Sequence, residues 1–145
     1  MNLKPFDDQG QHQDSEAGTI ATLSEKLAIE LGLCGYSLTS EDIEIALAAD
    51  FLFYAGWNST YTQRNRLNSP MDETQLISVN EWVVIEPVIR AHCELMQAQR
   101  MEGTGSLGVE RFGMSVSEAQ PAYAAAKMDL PKISFVEPPF ILDLD

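Results

Sequence analysis

Residues 78–102 read SVNEWVVIEPVIRAHCELMQAQRME, and the rest of the chain is arranged around this stretch. Ser78 followed by Glu81 is a capping box: the Ser78 hydroxyl can accept from the Glu81 N–H, and the Glu81 carboxylate from the Ser78 N–H. Ile77 before the cap and Trp82 after it can close a hydrophobic staple. Trp82, Ile85, Val88, Ile89, His92, Leu95, Met96 and Gln99 then fall on one stripe at helical spacing. Glu86, Arg90, Glu94 and Gln97 line the other side, with two i,i+4 ion pairs available, Glu86–Arg90 and Arg90–Glu94. Gly103 and Gly105 stop the pattern. The reading is a helix about 37 Å long at 1.5 Å per residue. Pro87 opposes it at a cost of roughly 3 kcal/mol, so the helix either kinks there or has its main rod begin near Glu86.

The chain has 145 residues, 45% of them apolar, enough for one domain with a real core. Its 22 acidic and 9 basic residues leave a net charge of −13, which opposes direct binding to nucleic acid phosphates but not a position beside passing DNA. Cys34 and Cys93 read as reduced, partly buried thiols rather than a disulfide framework. Neither a signal pattern nor a membrane-length apolar run is present.

Residues 1–18 are polar and acidic, a flexible tail with Leu3, Pro5 and Phe6 as a short docking motif. Thr22 and Glu25 form a second capping box and open a helix to about Leu31, with Leu23, Leu27 and Leu31 on one face, ended by Gly32 and Gly35. Thr39, Ser40, Glu41 and Asp42 open the next helix, which runs to Tyr54 or Ala55 and stops at Gly56. Ile43, Leu47, Phe51 and Tyr54 form its apolar line, and Ile45, Ala49, Leu52 and Phe53 widen it nearly all round, which implies burial from more than one side. Asp50 interrupts that surface, either as a functional carboxylate or as a structural partner for an arginine or a backbone amine.

Residues 57–76 lack periodicity and read as a long loop, either a disordered excursion or one that meets another protein through Tyr61, Arg64, Arg66 and Leu67. Gly103, Gly105 and Gly108 have GxGxxG spacing, but a helix precedes them where a dinucleotide fold needs a strand. Pro121 starts a short helix, AYAAAKM, capped by Gln120 or Ser117. Pro131, Pro138 and Pro139 turn residues 131–145 into an extended arm. Phe135, Phe140 and Leu142 would anchor it on a neighbour or on the chain's own core.

Chemistry-bearing residues do not converge. His92 and Cys93 are adjacent on a helix and point about 100° apart; His12 lies in the tail. Two histidines and two cysteines without ligand spacing give no metal site, and no Walker lysine, HExxH or nucleophile elbow occurs. The expectation is a protein that is not an enzyme and needs no cofactor; the enzyme alternative is a helical hydrolase marked by a strongly shifted carboxylate. The expected fold is mainly α: a small bundle around one long central helix over residues 19–130, with a long loop and the C-terminal arm.

Residues 77–103 (ISVNEWVVIEPVIRAHCELMQAQRMEG) and the stretch from GVERFGMSVSEAQ to LPKISFVEPPF resemble the neck proteins of tailed bacteriophages, the head–tail connector or adaptor rings beneath the portal. The resemblance covers about the last 70 residues and carries no catalytic residues over. It implies a cyclic, twelve-fold homo-oligomer in the virion neck, assembled in the host cytoplasm. Portal and tail or collar proteins would be its partners, and DNA would pass without specific binding. Another virion ring (head completion or tail terminator) and an acidic DNA mimic are the alternatives.

Overall fold

In a computed structural model, which describes residues 14–103 and 115–136 with side chains as far as Lys132, the stretch read first is a single helix. The elements in order are β1 (Glu16–Thr19), α1 (Ile20–Leu33), α2 (Ser40–Ala55), α3 (Tyr61–Arg64), β2 (Leu76–Ser78), α4 (Val79–Gly103) and α5 (Val116–Val136). The fold is mainly α.

The start of α4 is closed by a complete set of acceptors. Glu81 N donates to Ser78 Oγ at 3.2 Å, and Ser78 N donates to Glu81 Oε1 at 3.0 Å. Two further donors are met by the chain's own beginning: Val79 N by Ser15 O at 2.7 Å, and Asn80 N by Asp14 Oδ1 at 3.1 Å. Leaving such groups unpaired would cost about 1–3 kcal/mol each. Pro87 stays inside α4, with an exposed ring. Its missing donor frees the carbonyl of Val83, itself 68% exposed, so water can replace the lost bond.

Trp82, Ile85, Val88, Ile89 and Cys93 of α4 share one core with Ile20, Leu23 and Leu27 of α1, Ile43, Leu47, Phe51 and Tyr54 of α2, and Leu130 of α5. The far end of α4 departs from the expected stripe: Gln99 is exposed and Gln97 buried. The α1–α2 connection docks there, and Gln97 Oε1 accepts from Ser37 N at 3.0 Å and Ser37 Oγ at 3.2 Å. The same docking decides the ion pairs. Arg90 pairs with Glu86 at 3.6 Å and grips both oxygens of Glu30 at 3.1 and 2.9 Å. Glu94 instead accepts from the Tyr36 hydroxyl, so the Arg90–Glu94 pair does not form.

Several boundaries move. Thr19, not Thr22, caps α1: Thr22 is its N3 partner, and the two exchange bonds of 2.8 and 3.2 Å. The reason is β1, which holds residues 16–19 extended against β2 in an antiparallel ladder (Glu16↔Ser78, Gly18↔Ile77, Thr19↔Leu76), so the chain turns helical only at Ile20. Residues 14–18 are therefore structured rather than tail, and residues 1–13 lie outside the described part. Helix α1 runs through Gly32, and the reversal falls at Gly35, whose φ of +94° suits a residue without Cβ. Helix α2 begins and ends where expected, with Thr39 and Asp42 as its capping box.

The 57–76 segment is a long loop, broken by the one-turn α3 and tied to the rest of the chain by its polar groups. Thr60 caps α3 through a box with Gln63, and buried Gln75 donates to Thr62 Oγ1 at 3.0 Å. Backbone carbonyls of Gln75 and Glu73 accept from Ile20 N and Ala21 N at 3.0 and 2.9 Å, so this segment caps α1.

Helix α5 is longer than the prolines suggested. It begins at Val116 rather than near Pro121, and it contains both Pro121 and Pro131. Proline's fixed φ is helical, and what it forfeits is one bond and some steric ease. Full burial of Ala119 and Leu130 offsets that loss. An extended arm beginning at residue 131 is thus ruled out as far as Val136. The glycine-rich stretch 104–114 and residues 137–145 lie outside the described residues.

Trp82→Ala should cost about 3–5 kcal/mol as a large core truncation, and Ser78→Ala about 0.5–2 kcal/mol as a lost cap. Urea titrations of both variants measure this; a Trp82 loss below about 1 kcal/mol would contradict the packing at the start of α4.

Candidate interaction surface and the polar cluster behind it

Helix α2 has two apolar faces. One carries Ile43, Ala46, Leu47, Phe51 and Tyr54, all buried. On the other, Ile45 (75% exposed), Ala49 and Leu52 (58% exposed) follow one another at i, i+4 and i+7, with nothing over them among the described residues. Trp57, 49% exposed, continues the apolar surface beyond the helix end, edge-on to half-buried Phe53 at 6.3 Å between ring centroids. Scattered exposed apolar groups are ordinary, but a contiguous helical stripe of them is the signature of a contact surface. The sequence implies burial of this helix from more than one side; within the subunit these residues are exposed.

A second feature lies between α1 and α4: a groove of about 170 Å³ with Leu23, Leu27 and Trp82 as its floor. Lys26, Glu30, Glu86 and Arg90 stand on its rim, and both carboxylates are held by Arg90. Ile29 (61% exposed) and Leu33 (86% exposed) extend from Lys26 along the outer side of α1.

Behind the α2 stripe sits Asp50, whose side chain is fully buried. Its partners are neither an arginine nor a backbone amine. Oδ2 lies 3.0 Å from His92 Nδ1, and Oδ1 accepts from the Tyr123 hydroxyl at 2.7 Å. The carboxylate can only accept, so Nδ1 of His92 carries a proton. The His92 and Tyr123 rings stand 4.3 Å apart at 33°. Burial, and then the Asp50 carboxylate, push the Tyr123 hydroxyl well above its ordinary pKa. An aspartate-oriented imidazole is a component of general-base sites, where it takes a proton from a water, a substrate or a neighbouring nucleophile. Cys93 is the adjacent residue; it is buried, and desolvation pushes its thiol up to about 12, which makes it a poor nucleophile. Among the described residues no three His, Cys, Asp or Glu side chains group to hold a metal ion. The arrangement ties α2, α4 and α5 together.

Of the residues expected to form the binding loop, Tyr61 and Arg64 are committed to their own chain. Tyr61 is half-buried and its N–H donates to Glu81 Oε2 at 2.9 Å. Arg64 donates to Ser59 O at 2.9 Å and pairs with Asp14 at 3.6 Å. Arg66, with φ of +54°, and Leu67, 44% exposed, remain at the surface after α3. Phe135 falls on α5, and Phe140 and Leu142 lie outside the described residues. Among the described residues no helix is long and apolar enough to cross a membrane.

Tyr123→Phe removes a hydrogen bond to a buried carboxylate and should cost about 1.5–3 kcal/mol, read as a shift in urea midpoint. Asp42 supplies a pH test. The Thr39 N–H, and after it the Arg100 guanidinium at 2.9 Å, hold its carboxyl below the ordinary 3.8. A depressed folded pKa means stability that is present above the unfolded value and is lost as pH falls through the folded one. Asp42→Asn should therefore be less stable than wild type at neutral pH, with the gap closing below about pH 4. A gap that stays constant from pH 7 to pH 3 would contradict it.

No protein-family model matches the chain, and neither a curated protein nor a solved structure matches it.

Proposed function

We propose that this chain is a structural subunit of a tailed-bacteriophage neck, one copy in a ring that joins portal to tail and lines the DNA passage. The observation that carries the reading is the uncovered stripe of Ile45, Ala49 and Leu52 on a helix whose other face is buried. A subunit built to assemble must keep such a surface in reserve, because burying it supplies about 25 cal/mol per Å² of apolar area. The net charge of −13 supports the same reading, since a conduit for DNA has to avoid holding its cargo. Support also comes from the likeness of residues 77–103, and of the segments that follow, to neck proteins. Twelve-fold symmetry and contacts with portal and tail or collar proteins belong to this proposal. So does the absence of catalysis: the Asp50–His92–Tyr123 cluster serves here as a fastening.

Mass spectrometry of purified virions should find the chain, and its absence there overturns the neck assignment. Ile45→Asp together with Leu52→Asp should leave circular dichroism unchanged, since both positions are exposed, and should abolish incorporation into particles. Normal incorporation of that double variant would remove the α2 stripe from the assembly contact.

A further inference from the structure

The stripe on α2 and the groove between α1 and α4 are opposite in form and share no residue. One is a convex row of aliphatic side chains; the other is a hollow with an apolar floor. We infer that they are two halves of one contact, in which the α2 stripe of one copy seats in the α1–α4 groove of the next. This rests on the assembly reading above and names the partner surface that the stripe would meet.

Size is the first argument. A hollow of about 170 Å³ is comparable to the roughly 150 Å³ apolar cavities that accept one benzene. It therefore takes a single large aliphatic side chain rather than a peptide. Ile45 is 75% exposed, against 58% for Leu52, which makes it the better candidate for that place.

Charge is the second argument. Helix α2 carries Glu41, Asp42, Glu44 and Asp50 and has no lysine or arginine. Asp42 is taken by Arg100 and Asp50 by His92 and Tyr123. Glu41 and Glu44 are left without a cation among the described residues, and Glu41 lies one helical turn before Ile45. Two α2 stripes laid in parallel would gather these acids, a repulsive arrangement on a chain of net charge −13, and laid antiparallel they would carry them to the far end of the helix, where Lys127 stands over Phe53 at 4.7 Å. The groove differs. Arg90 already neutralises its two carboxylates to either side, and Lys26 on the rim has no anionic partner among the described residues. An acid at one end of an apolar stripe thus meets a base on the lip of an apolar groove. A contact between unlike surfaces does not close on itself in pairs; it propagates into a ring or a filament.

A mixing experiment on the full chain tests this by sedimentation velocity. Ile45→Asp destroys the stripe and keeps the groove. Lys26→Glu with Ile29→Asp reverses the charge on the groove lip, makes the outer side of α1 beside it acidic, and keeps the stripe. All three positions are exposed, and unchanged circular dichroism verifies folding. Wild type should form oligomers, each variant alone should be monomeric, and the two mixed should form a heterodimer and nothing larger. Carbodiimide cross-linking of ¹⁵N-labelled with unlabelled wild type should join Lys26 of one copy to Glu41 or Glu44 of another. The inference is overturned if the mixture stays monomeric, if either variant assembles alone, or if wild type remains monomeric at millimolar concentration. A chain that passes this test but is missing from virions keeps the contact and loses the neck assignment. A chain found in virions whose variants fail to complement does the reverse.

Discussion

Glu81 is a carboxylate 99% removed from solvent, and most of the architecture passes through its two oxygens. Oε1 accepts from Ser78 N and closes the cap of α4; Oε2 accepts from Tyr61 N, the first residue of α3. One side chain thereby fixes where the long helix starts and where the preceding segment must sit. Burial pushes its carboxyl above the ordinary range, against the pull of the two N–H groups. A raised folded pKa works against the folded state once pH rises past it, so Glu81 is not retained for its charge. Its value is directional: it accepts two donors that an apolar residue would leave unpaired in the interior.

From that junction the same logic spreads outward. The 60–76 segment places Gln75 and Glu73 carbonyls on the first donors of α1, while Asp14 and Ser15 do the same for α4. Both long-range caps come from chain that has no helical periodicity of its own. At the opposite end, Arg100 spans Ser37 O at 2.7 Å and Asp42 at 2.9 Å, tying the α1–α2 connection to the last turns of α4. The helices are thus fixed in register at both ends by polar groups, and the apolar core between them fixes only that they pack.

Local chemistry made part of this legible. The Ser78–Glu81 box, the Ile77 and Trp82 packing, the extent of α4 and the Thr39–Asp42 start of α2 are all readable because each depends on residues close to one another in sequence. The failures share the opposite property. Thr22 was taken as a cap because nothing local reveals that β1 pairs with β2, nearly sixty residues on. The sequence makes Pro121 a helix start and Pro131 a break, because their compensation, the burial of Ala119 and Leu130 against other helices, is tertiary. The Asp50–His92–Tyr123 cluster draws one residue from each of three helices, and no spacing announces it. The α2 stripe was visible as an excess of apolar residues; which part of the excess would face outward was not.

What resolves that last question is Asp50. A helix that is apolar nearly all round has little preference for one rotation about its axis over another, since each rotation buries similar groups. Hydrophobic burial is non-directional and cannot choose. Asp50 can, because its two oxygens have to reach His92 on α4 and Tyr123 on α5 at hydrogen-bonding distance. Once those bonds are made, Phe51 and Leu47 are carried into the core. Ala49, the residue before Asp50, is turned to the surface together with Ile45 and Leu52. The buried polar cluster and the exposed apolar stripe are therefore one design seen from two sides. The carboxylate sets the rotation of α2, and that rotation decides which aliphatic side chains a neighbour can reach.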